Sequence, residues 1–264
     1  MWDSILTLSS LESLLSAGVR LSVPLIYGAL GETVSQKAGT LNIGLESNMI
    51  GGAFFGFAVT YWTGSLALGF LAGMIAGAVF SMLHAFISHG LGQNQSVTGT
   101  ALNLFAIGIT SFLFSLINTT SLYPQIVTLQ NLAIPYLSDI PIIGEVFFNK
   151  DIITYIAYFM IFAVAFFLKH TVWGMELVAV GENPQASDTV GIRVLKIRYS
   201  AALFNGLMNG LAGAFLTLVQ LGSFSDSVTS GRGFIALALV VFGKRNPYGI
   251  FLGALFIGMA NAMQ

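Results

Sequence analysis

Stretches of about twenty mostly apolar residues recur along this chain, near 12–31, 42–63, 66–88, 96–117, 152–169, 199–220 and 247–264. Each has the length a helix needs to cross a hydrocarbon core of about 30 Å. An eighth apolar piece, Phe234 to Phe242, is too short to cross. It predicts either half of a broken helix or a re-entrant segment, which membranes tolerate only where protein or a cavity surrounds the backbone. Only 8% of the 264 residues are charged, 55% are hydrophobic, and mean hydropathy is +0.83. A soluble domain carries about 25% charged residues, so most of this surface must face a lipid bilayer. The expected fold class is all-α: a polytopic membrane helix bundle with a short broken or re-entrant helix near the C-terminus.

The same residues exclude several function classes. A net charge of −1 rules out a strongly basic nucleic-acid binder, and zero cysteines remove disulfides and thiolate metal sites. The three histidines, His84, His89 and His170, show no H-E-x-x-H spacing, and the first two diverge on a helix. Gly243-Lys244-Arg245 lacks the leading glycine and the hydroxyl of a phosphate loop. No Ser/His/Asp set is suggested, so neither catalysis, nor a metal, nor a cofactor is expected. Asp3 and Glu12 precede the first cation, Arg20, which is unlike a cleavable signal, so the first apolar stretch stays as a span. The spacings Gly69/Gly73/Gly77, Gly206/Gly210 and Gly249/Gly253 predict close helix contacts.

Two longer polar stretches orient the spans. Residues 169–198 carry Lys169, His170, Arg193, Lys196 and Arg198, and this basic excess marks a cytoplasmic loop. Residues 118–151, with Pro124, Pro135, Asp139, Pro141, Glu145 and Lys150, then lie outside. Alternation puts the loops at Lys37 and at 89–95 inside and the N-terminus outside.

Within the cytoplasmic loop, Glu182, Asn183, Pro184, Gln185, Ala186, Ser187, Asp188, Thr189, Val190 and Gly191 spell a short helix marked at both ends. Asn183 suits the N-cap, Pro184 the first helical position and Gly191 the left-handed closing residue. It reads as a docking element for a soluble partner or as a stray capped turn. Asn42, Glu46 and Asn48 fall just inside an apolar run, with Asn42 and Glu46 on one helix face. An ionisable group at that depth faces the bundle interior; the alternative is an anchor at headgroup level. A structural or gating role is favoured for it over contact with a solute. Arg20, beside Pro24, is expected to serve Glu32 or carbonyls that the proline frees. Asn103, deeper than its polar neighbours, and the pair Asn205 and Asn209 fit either a polar translocation path or interhelical hydrogen bonds.

Four segments in order resemble one family: Lys37–Glu46 (KAGTLNIGLE), Gln95–Leu104 (QSVTGTALNL), Val180–Ala186 (VGENPQA) and Gly231–Ala238 (GRGFIALA). They resemble the permease subunit of a bacterial ABC importer, in the branched-chain amino-acid/ribose permease superfamily, nearest the nucleoside and simple-sugar group. The resemblance covers about residue 15 to the end. Two departures stand out: Ser47 replaces a glycine usual after the glutamate, and family members run several dozen residues further. The resemblance therefore implies one transmembrane permease domain over 1–264, C-terminally truncated, whose loop 169–198 carries a coupling helix. It implies cytoplasmic ATP-binding subunits, a second permease subunit and an extracellular substrate-binding lipoprotein as partners, in the inner or plasma membrane. An ion-coupled secondary transporter is the rival reading. It needs intramembrane carboxylates at an ion site, and only Glu32 and Glu46 qualify loosely.

Overall fold

The computed structural model describes residues 8–117, 124–135, 137–138, 140 and 143–264. Asp3, Asp139 and Pro141, named above, lie outside the described residues. Ten α-helices occur among them: α1 (Leu8–Lys37), α2 (Leu45–Thr63), α3 (Leu66–Ala85), α4 (Gln95–Ile117), α5 (Ile152–His170), α6 (Val172–Glu182), α7 (Pro184–Thr189), α8 (Val194–Phe215), α9 (Arg232–Phe242) and α10 (Pro247–Ala262). Helix α3 continues through a π turn at Phe86–Gly90, and α8 through another at Leu216–Leu221. Between α4 and α5 two short strands, β1 (Leu132–Ala133) and β2 (Asn149–Lys150), pair antiparallel with Leu132 opposite Lys150. The protein is an all-α polytopic bundle.

Five helical stretches are long and apolar enough to cross a membrane: Ser10–Lys37, Leu66–Gly90, Gln95–Ile117, Ile152–His170 and Val194–Leu221. Seven were expected. The two that fall short do so for different reasons. Helix α2 opens on Glu46-Ser47-Asn48 and buries fourteen of its nineteen residues, so protein rather than lipid surrounds it. Helix α10 has only 16 residues, which rise about 24 Å.

Helices α2, α3 and α8 meet through the glycine stripes. A Cβ on Gly77 would lie 2.4 Å from the Gly206 carbonyl oxygen, and one on Gly210 would lie 2.3 Å from that of Gly73. These backbones touch directly, the arrangement that small residues permit in a membrane bundle. Gly249 likewise packs on Gly243, where α9 turns into α10. Helix α10 meets α1 at Gly258 and Gly18. Of the five spans, those of α8 and α1 are the most enclosed and that of α4 the least.

Beyond α8 the chain neither continues as helix nor turns back. Residues 222–231 run inward as irregular backbone, with Phe224 wedged against Phe54 and Phe114 at ring separations of 5.3 and 5.1 Å. Helix α9 then begins beside Glu46 and ends near Gln36, whose side-chain oxygen accepts from Arg245 Nε at 3.3 Å. Of the two forms expected for the short apolar piece, this is the helical half of a broken crossing.

Arg20 meets neither partner expected of it. Twelve residues of helix put Glu32 about 18 Å away, and the guanidinium instead donates to the Val219 carbonyl, in the π turn that ends α8. Gln220 Nε2 returns a bond to the Arg20 carbonyl at 2.9 Å.

Candidate translocation and coupling sites

The turn after α1 is tight because Gly39 adopts φ +78° and Thr40 N donates back to the Ser35 carbonyl. The chain therefore re-enters the bundle instead of leaving it, and it brings Asn42 to Glu32. The buried Glu32 carboxylate accepts from Gln36 Nε2 (3.0 Å), Asn42 N (3.2 Å) and Asn205 Nδ2 (2.9 Å). Asn209 Nδ2 donates to Asn205 Oδ1 at 2.6 Å and to the Asn205 carbonyl at 3.0 Å. One network thus joins α1, the 38–44 turn and α8, with Arg245 attached through Gln36.

Asn103 reaches the same turn from α4. Its Oδ1 accepts from Ser47 N at 2.9 Å and its Nδ2 donates to the Ile43 carbonyl at 3.1 Å. Glu46 points elsewhere. Its carboxylate accepts from Thr229 Oγ1, Gly231 N (2.9 Å) and Gly233 N (2.8 Å), which caps the start of α9. Gly231, in the left-handed region at φ +75°, offers no side-chain cap of its own, so a carboxylate from another helix complements the N-terminal dipole.

Of the five residues considered for a path, Asn42, Asn205 and Asn209 gather around Glu32, Asn103 holds the turn beside them, and Glu46 stands apart at α9. All five are buried, with less than a tenth of each side chain exposed. The hub itself, Glu32, and its link Gln36–Arg245 were missed as a site from sequence; a glutamate just after the apolar run Val23–Leu30 was the available signal. Asn48 is fully buried, and neither of its side-chain polar atoms has a partner; the same holds for Asn42 Nδ2 and Asn209 Oδ1. These four unpartnered atoms are neutral amide donors and acceptors, while the Glu32 carboxylate stands at the centre of the network. Among the described residues no group of three or more His, Cys, Asp or Glu side chains is placed to hold a metal.

In the 169–198 loop, Asn183 Oδ1 accepts from Ala186 N at 3.0 Å, Pro184 occupies the first helical position and α7 runs to Thr189. Gly191 follows at φ +87°, and its amide donates to the Asp188 carbonyl at 3.0 Å. Glu182, Asn183, Gln185, Ala186 and Asp188 are exposed, Pro184 is half-buried, and Ser187 turns inward. Gly181 at the end of α6 packs on the turn after α1: a Cβ there would lie 2.0 Å from the Lys37 carbonyl oxygen. Helix α6, which leads directly into α7, is thus seated on the segment that leads to Asn42 and Glu46.

Known proteins are similar to this chain in sequence. The chain is 39% identical over 253 residues to a guanosine ABC transporter permease of Bacillus subtilis, covering 92% of this chain and 79% of that protein. A protein of Haloferax volcanii named as a glucose ABC transporter permease is 38% identical over 259 residues, covering 97% of this chain and 78% of the relative. A nucleoside ABC transporter permease of Lactococcus lactis is 34% identical over 249 residues, covering 92% and 78%. No solved structure matches. The family model described as branched-chain amino acid transport system / permease component matches residues 14–264. These likenesses place the chain among ABC importer permeases and against the ion-coupled reading. ATP-binding and substrate-binding partners come with that class, which is not typically enzymatic. The chain belongs to the branched-chain amino acid transport system / permease component family, as a multi-pass permease subunit of an ABC importer in the cell membrane.

Proposed function

We propose that this subunit carries nucleosides into the cytoplasm, with simple sugars as the second substrate class. The observation that carries the reading is the set of relatives just described, named for guanosine, nucleosides and glucose. The amide cluster agrees in kind, because uncharged donors and acceptors suit a neutral polar solute and hold it weakly enough for release. In this reading residues 1–264 act as one permease domain, and a second permease subunit completes the path. Asn42, Glu46, Asn103, Asn205 and Asn209 border or brace that path. An extracellular lipoprotein delivers the solute.

The 169–198 loop carries the coupling element. Cytoplasmic ATP-binding subunits dock on Glu182–Asp188 and Gly191, and their closure pushes α7. Through Gly181 and the Lys37–Gly39 turn the push reaches Asn42 and Glu46, and so biases a two-state bundle. The test is uptake of radiolabelled nucleosides by cells that hold the whole system, with and without this subunit. Loss of uptake that a restored proton gradient does not rescue supports an ATP-driven nucleoside importer. Unchanged nucleoside uptake with loss of glucose uptake moves the substrate to sugars.

A further inference from the structure

Two cavities adjoin on the cytoplasmic side, away from the buried network. The first, about 360 Å³, lies between α1, α5, α6 and α8 and is walled by Val34, Met160, Val164, Phe167 and Phe204, with Ser200 its one polar residue. The second, about 330 Å³, is polar and takes in Glu176, Gly191, Arg193 and Lys196. They share Trp173, Ile197 and Ser200 as a common wall. Arg193 and Lys196 are exposed, and among the described residues neither has an ion-pair partner, Glu176 included.

The surroundings set the depth. Helix α6 buries Gly174, Leu177 and Val180 against the bundle, while Val172, Trp173 and Met175 remain exposed. A short helix with that outward face, led by a tryptophan, lies in the interface between headgroups and acyl chains. Two cations and one carboxylate leave the polar cavity with one net positive charge, and Arg193 stands at the N-cap of α8, where the helix dipole adds to it.

We propose that this composite pocket binds one anionic phospholipid of the cytoplasmic leaflet, with an acyl chain in the apolar slot and the headgroup phosphate between Arg193 and Lys196. Gly191 and Ile192, which close α7, form part of the headgroup wall, so the lipid braces the proposed coupling segment. The sidedness of the loop rests on that reading; the binding itself does not.

The experiment is native mass spectrometry of the assembled importer in detergent after delipidation, with palmitoyl-oleoyl phosphatidylglycerol, the matching phosphatidylcholine and glycerol 3-phosphate added separately. Phosphatidylglycerol is expected to be retained about twenty-five-fold better than phosphatidylcholine, from two cations that each strengthen attraction about fivefold. The exposed double change R193Q/K196Q should bring it down to the phosphatidylcholine level. Ala163→Phe, which fills the slot from α5, should expel both lipids. Three results overturn the proposal: equal retention of the two lipids, protection by glycerol 3-phosphate alone, or R193Q/K196Q shedding the ATP-binding subunits while phosphatidylglycerol stays. The last would make the pocket a subunit interface. Because lipid is counted directly, a wrong substrate assignment leaves the measurement unaffected.

Discussion

Glu46 and Gly233 stand 187 residues apart, and the carboxylate of one accepts the amide of the other at 2.8 Å. The approach requires glycine: a Cβ on Gly233 would lie 2.6 Å from Glu46 N and 2.7 Å from Glu46 Oε2. Helix α2 therefore supplies the cap that α9 lacks.

Glu46→Gln keeps one acceptor and loses the charge at the α9 N-terminus, and is expected to cost about 1–2 kcal/mol. Glu46→Ala strands the three donors of Thr229, Gly231 and Gly233 and is expected to cost about 3 kcal/mol or more. Denaturant titration of the purified permease, followed by circular dichroism, orders the variants. Equal stabilities for Gln and Ala would refute the cap.

Glycine-to-alanine changes should separate by site. Gly77→Ala forces the α3 and α8 backbones apart and is expected to destabilise by about 1–3 kcal/mol. Gly108, on the outward side of α4, has nothing within 4 Å of its Cβ position. There alanine should be neutral or stabilise by up to about 1 kcal/mol. The same titration reads both, and a reversed order would contradict the glycine crossing.

Gly191 meets nothing within 4 Å, yet its φ of +87° lies where a branched side chain is strained by about 1–2 kcal/mol. Gly191→Val is thus expected to distort the end of α7 without disturbing the bundle. ATP hydrolysis by the assembled importer should continue while uptake falls. Normal uptake by this variant would remove the coupling role of 183–191.

Lys150 gives a pH prediction. Its ammonium is buried and donates to the Ser16 carbonyl at 3.2 Å and to the Ser16 hydroxyl. Burial pushes it down to about 8, Arg20 acts the same way, and Glu145 and Asp151 pull against them. The unfolded chain holds this proton up to about pH 10.4, so between about 8 and 10 the unfolded state binds more protons and stability rises with pH. The melting temperature of the wild type should climb over that range relative to Lys150→Met. Parallel curves would show that Lys150 does not titrate there.

Much of this architecture is written locally and could be read so. Apolar runs at 66–88, 96–117 and 152–169 form α3, α4 and α5 nearly as spaced, because length and hydropathy alone decide them. Asn183, Pro184 and Gly191 mark α7 because capping chemistry is local. The glycine stripes announced close contacts, but not which stripe meets which, since pairing Gly77 with Gly206 is a property of two distant helices. For the same reason Glu32 could not be recognised as a hub. Its ligands come from positions 36, 42 and 205, and only the reversal at Gly39 brings the second of them near. Arg20 was misassigned because a π turn on α8, invisible in the sequence, supplies its acceptor.

The broken crossing bears on how the protein is made. The eleven residues of α9 rise about 16 Å, roughly half the hydrocarbon thickness, and irregular chain covers the rest. Such a segment cannot partition into lipid alone, because its unpaired backbone groups find partners only in protein. Those partners, Glu46 among them, are synthesised nearly two hundred residues earlier. Helices α9 and α10, joined by the tight turn at Lys244 and Arg245, must therefore enter together, into a socket that the preceding helices have already built. Biogenesis of this membrane protein is templated by its own first half.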